Sequence, residues 1–153
     1  MRAELVAETV SILVGYLEDR SEPAQAVAWA DRLTAEGVEN SDVIELALTS
    51  PSDWQSVRRL IPAALEGAGV PTEQQSAVIW IRERLIDRLQ DSTQNLLEVA
   101  GDAYRIGSRL EFPPELHVFA LLESELMAIE DGIISRPADG DLRSWAVEYA
   151  RSN

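Results

Sequence analysis

Apolar residues recur along this chain at the three- and four-residue spacing of helices, almost from end to end. Leu5, Val6, Val10, Leu13, Val14 and Leu17 mark one face of a first helix. Ser21-Glu22-Pro23 reads as a helix start with proline in the first turn. The second helix puts Ala26, Trp29, Ala30 and Leu33 on one stripe and stops at Gly37. Asn40-Ser41 caps a short third helix carrying Val43, Ile44 and Ala47. Ser50-Pro51-Ser52-Asp53 predicts a fourth start, with Ser50 as the cap, Pro51 as the first helical residue and Asp53 as the reciprocal acid. That helix is expected to bury Trp54, Val57, Ile61 and Leu65, and Pro62 is expected to kink it.

Gly67-Ala68-Gly69-Val70-Pro71 is the clearest breaker. It admits a subdomain break at 67–71 within a single helical domain over 1–153. A fifth helix follows over 72–90, with Val78, Ile81, Leu85 and Leu89 facing inward. Asp91-Ser92-Thr93 marks a break and recap, and a sixth helix runs to about Ser108. Its Ala100, Ala103 and Gly107 form a small-residue stripe that lets another helix approach. Pro113-Pro114 opens a seventh helix that ends near Gly132, with Val118, Leu122, Leu126 and Ile129 as its core stripe. Residues 136–140 read as a loop, and Asp139 or Asp141 caps a last helix bearing Leu142, Trp145, Ala146 and Tyr149. Alternating β-branched runs and fixed-period repeats are absent. The pattern predicts an all-α fold of seven or eight helices in one orthogonal or irregular bundle, with Trp29, Trp54 and Trp145 in the core.

Length agrees with that picture. A chain of 153 residues is one domain's worth and buries roughly two-thirds of its unfolded surface without a disulfide or metal. Met1-Arg2-Ala3-Glu4 makes a poor signal peptide, no apolar run approaches the ~20 residues of a membrane span, and zero cysteine fits the cytosol. The expectation is a cytoplasmic protein.

Charge changes the picture more. Twenty-seven acids face thirteen arginines, with no lysine and one histidine, for a net charge of -14. Such a chain repels phosphate backbones and anionic lipid, and it attracts basic partners. His117 alone cannot build a Cys/His zinc site or a paired Glu-x-x-His di-iron site. No Gly-x-Ser-x-Gly elbow accompanies it for a serine triad. No cofactor, no catalytic residue and no metal ligand are therefore assigned. Carboxylates alone are the one metal chemistry left open, because octahedral magnesium accepts their oxygens. All-helical nucleotide pyrophosphohydrolases use such clusters. Here Glu123, Glu125, Glu130 and Asp131 crowd one helix, and Glu83 and Asp87 lie four apart on another. Glu123 and Glu125, however, point to different sides of their helix.

Two features of the fifth helix bear on partners. Trp80 faces away from the apolar stripe, beside Arg84 and Asp87, a composition favoured at protein interfaces. Arg82 interrupts the apolar run, so it needs a carboxylate partner or must reach water with its head. Glu98, Asp102, Arg105 and Arg109 read as a solvated face. Trp80, Arg84, Asp87, Glu123 and Glu130 are the partner-binding candidates.

Ala28-Trp29-Ala30-Asp31-Arg32-Leu33, a short loop, and Asp42-Val43-Ile44-Glu45-Leu46-Ala47-Leu48 together resemble small acidic helical families among the bacterial immunity proteins. The resemblance covers the second and third helices. It implies a non-enzymatic inhibitor that neutralises a toxin, and it carries no functional residue with it. The expected function is a protein-binding module whose acids steer and cover a basic protein. The alternatives are a metal-dependent nucleotide hydrolase and a structural homodimer subunit.

Overall fold

A computed structural model describes residues 1–135 and 141–152. Every regular element among them is helical: α1 Ala3–Leu17, α2 Pro23–Ala35, α3 Ser41–Ala47, α4 Trp54–Gly67, α5 Gln74–Gln90, α6 Leu96–Arg109, α7 Phe119–Glu130 and α8 Leu142–Ser152. A single 3₁₀ turn, Pro114–Leu116, precedes α7. The all-α class and the eight helices agree with the hydrophobic periodicity.

Contacts group the chain into two compact units, residues 1–80 and 81–153, with the border inside α5. In the first unit, α2 packs on α1, α3 and α4, and α3 packs on α4. Leu13, Trp29, Leu33, Leu46, Ile61 and Leu65 are fully buried there. Trp29 is also hydrogen-bonded. Its Nε1 donates to Thr9 Oγ1 at 2.9 Å, and the buried Thr9 hydroxyl donates to the Leu5 carbonyl at 2.6 Å. The sole tryptophan N–H in this core is thus satisfied, as burial requires.

In the second unit, α7 packs on α6 and α8. Phe119, Leu122, Leu126 and Ile129 of α7 are buried, as the stripe predicts, and so are Ala100, Ala103 and Gly107 of α6. A Cβ at Gly101, outside that α6 stripe, would stand 3.6 Å from Glu123 Oε2 at the tip of an α7 side chain. At Gly107 the neighbour is instead the Phe112 ring, which folds back over the end of α6 and would collide with any side chain there.

Two arginines fasten the ends of α5 and α8. Arg143, in the first turn of α8, donates from Nη1 to the carbonyls of Leu89 (2.7 Å) and Asp91 (2.8 Å), and from Nη2 to that of Gln94 (2.6 Å). Arg82 of α5 donates to the carbonyls of Ala150 and Arg151 at the end of α8. Each helix therefore supplies a cation to the carbonyl-rich end of the other, where orphan acceptors and the helix dipole both favour positive charge. Arg82 is half-buried, and its guanidinium bonds backbone oxygen, a partner that the sequence position did not suggest.

Other differences from the sequence reading are local. The α6 cap is Asn95, whose side chain accepts from Glu98 N, so the break at Asp91 falls where expected and the recap comes later. Asp102 is not simply solvated, since it accepts from Arg88 at 2.7 Å and pairs with Arg105. Trp145 is half-buried, stacked on Tyr149 with centroids 5.2 Å apart, and is not sealed in the core. Asp141 accepts from Arg143 N and Ser144 Oγ at the start of α8. The proposed 136–140 loop and the Asp139 cap lie outside the described residues.

Candidate functional site

The turn between α3 and α4 carries the most conspicuous surface in the first unit. Asn40 starts α3 by accepting from the amides of Asp42 (2.9 Å) and Val43 (3.2 Å). The same side chain lies against Gly67 at the far end of α4, where any Cβ would collide with it. The start of α3 therefore meets the end of α4. Val43 and Leu46 of α3 face inward and are fully buried. Ile44 and Leu48, four apart on the other side, are exposed, and Leu48 is 82% exposed.

The chain then turns. Asp53 N donates to Ser50 O at 3.0 Å, and the Ser50 and Ser52 hydroxyls pair at 2.8 Å. Asp53, not Ser50, caps α4, accepting from Ser56 N at 3.3 Å. Pro51 lies in the turn and not in the helix. Ser50 is already engaged in that turn, which leaves Asp53 as the side chain placed to meet the first free amides.

This shift decides where Trp54 goes. It becomes the first residue of α4, and helical side chains lean back toward the N-terminus of their helix. The ring therefore overhangs the turn and does not enter the core beneath Val57 and Ile61. Trp54 is 49% exposed, which corrects the expectation that it is a core residue. The Arg58 guanidinium sits over the ring, 5.1 Å from its centroid, one helical turn along. Such a contact is worth about 0.5–1 kcal/mol at an exposed site. It holds the indole ready-oriented at the start of α4, the helix on which α3, with its exposed Ile44 and Leu48, packs.

Residues 33–59 hold five acids and two arginines, Arg58 and Arg59, both in α4. Hydrogen bonds from the Ser56 side chain, and then from its amide, hold the Asp53 carboxyl below its usual value of 3.8. A carboxyl depressed in the fold stabilises fully above 3.8, and the contribution is lost as pH falls through the lower folded value. Urea midpoints for the parent and Asp53→Asn are therefore expected to differ at about pH 6 and to converge as pH falls through the lowered folded value. A gap that widens on acidification would show that the cap acts through something other than its charge.

The partner-binding candidates from the sequence do not gather here. Trp80, Arg84 and Asp87 follow one face of α5, where Trp80 is half-buried and Arg84 Nε pairs with Asp87 at 3.0 Å. Glu123 is half-buried on α7 beside Gly101 and Arg105 of α6, and Glu130 is exposed at the end of α7. No three His, Asp or Glu side chains among the described residues are grouped to hold a metal ion. No helix among them is long and apolar enough to cross a membrane. Comparison with protein-family models, with curated proteins and with solved structures gave no match.

Proposed function

We propose that this chain is an acidic protein-binding module, an immunity-like inhibitor that covers a basic partner protein with its α3–α4 corner. The observation that carries the reading is Trp54, left half exposed under Arg58 at the start of α4, with Ile44 and Leu48 also exposed on the α3 side of the turn. Tryptophan and arginine are the side chains most enriched at interface hot spots. A ring already stacked on Arg58 has little rotamer freedom left to lose on docking. The net charge of -14 supplies long-range attraction for a cationic surface and raises the encounter rate at low salt. It also disfavours a second copy of the chain and a nucleic-acid backbone as the occupant.

Photo-crosslinking in the native cell tests this without knowledge of the partner. A photoreactive phenylalanine at position 54 or 48 is expected to give one discrete adduct with a basic protein. The same group at the exposed Gln75 of α5 is expected to give none. Identical smears from all three positions, or an adduct only with acidic proteins, would overturn the reading.

A further inference from the structure

The outward face of α7 is the second apolar surface that packing leaves open. We infer that it is a docking strip for a cationic amphipathic helix of another protein. The inference goes beyond the Trp54 surface and stands or falls apart from it.

A surface helix normally pairs an apolar face with a polar one. Helix α7 departs from this. Phe119, Leu122, Leu126 and Ile129 fill its buried side. At 3.6 residues per turn, Ala120, Leu121, Met127 and Ala128 fall on the opposite side, around Ser124. Leu121 is 56% exposed and Met127 49% exposed, and the exposed Ile133 and Ile134 extend the apolar surface past the end of the helix. The backbone keeps them there, because both their amides donate to the Ala128 carbonyl (2.9 and 3.2 Å).

Charge decides what fits on this strip. The same helical spacing sets Glu123 and Glu130 along one flank, Glu125 along the other and Asp131 at the end. Residues 110–135 contain six acids, with Arg109 and Arg136 bordering the stretch in sequence. Arg105 of α6, paired with Asp102, lies with Glu123 beside Gly101. A second copy of α7 laid on the strip would bring carboxylates against carboxylates on both flanks, which opposes self-association. A helix with leucines on one face and arginines or lysines beside them matches both parts: its apolar residues meet Leu121 and Met127, and its cations reach the flanking carboxylates. Methionine suits such a contact because its unbranched chain adapts to the side chain it meets.

The test uses the full chain and a synthetic cationic helix, with leucine at helical spacing and lysine elsewhere. A scrambled peptide of the same composition is the control. The helical peptide is expected to bind one to one, at least tenfold tighter than the scramble, and to slow amide exchange over residues 119–130. Leu121→Ser and Met127→Ser are each expected to weaken it at least fivefold, while Trp54→Ala leaves it unchanged. Equal binding of both peptides, or full affinity in both serine variants, would overturn the inference. So would sedimentation of the parent as a dimer in which Leu121→Ser releases monomers. Loss of binding in Trp54→Ala alone would place the peptide on the α3–α4 corner and would likewise overturn it.

Discussion

Replacing Trp29 by alanine is expected to cost about 3–5 kcal/mol of stability, the range for deleting a buried aromatic ring. The ring is fully buried. Its N–H bond to Thr9 adds a second component that can be separated. Trp29→Phe retains most of the apolar volume but deletes the donor. Thr9 keeps its own acceptor on Leu5, so no buried donor is stranded by that change. The phenylalanine variant is therefore expected to lose only about 1–2 kcal/mol. Urea unfolding of the three proteins checks this order. An alanine variant within about 1 kcal/mol of the parent would mean that the core closes over the gap.

Arg143→Ala is expected to cost about 3 kcal/mol of stability in the second unit. One guanidinium donates to three carbonyls at 2.6–2.8 Å, and hydrogen bonds from a charged donor contribute about 1.5–3 kcal/mol each before the overlap between them is counted. Its loss leaves the end of α5 with orphan acceptors in a half-buried place. Arg143→Lys should recover only part of the loss, since an ammonium cannot reproduce a planar fork. Amide exchange is expected to quicken through residues 89–95 in both variants. Parent-like exchange there would mean that water satisfies those carbonyls equally well.

The helices were legible because each buries a stripe at helical spacing, and such a stripe needs only nearby residues to be read. The inward positions of α5 and α7 follow from it directly. Caps were legible where one candidate stood alone, as at Asn40, and misread where several competed. Between Ser50 and Asp53, the cap depends on which residue the Pro51 turn occupies first. That single ambiguity moved Trp54 from the interior to the surface, because a periodic stripe does not show where the packed part of a helix ends. Arg82 and Arg143 were opaque for another reason. Their acceptors are backbone carbonyls 49 to 69 residues away, and nothing in the local sequence marks a carbonyl as unpaired. The exposed strip on α7 was hidden in the same way. Helical spacing sets Leu121 and Met127 opposite the core stripe, but only the packing shows that both stay exposed.

The measurement that bears most directly on the binding role is the affinity of Trp54→Ala for the partner captured at position 54, taken together with its urea midpoint. The affinity is expected to fall about thirtyfold or more, equivalent to about 2 kcal/mol, while stability moves by no more than about 1 kcal/mol, the most that the lost contact with Arg58 contributes. The parent complex is also expected to weaken steeply with added salt, as attraction between a -14 chain and a cationic surface requires. An unchanged affinity would contradict this role, and so would a loss of affinity matched by an equal loss of stability.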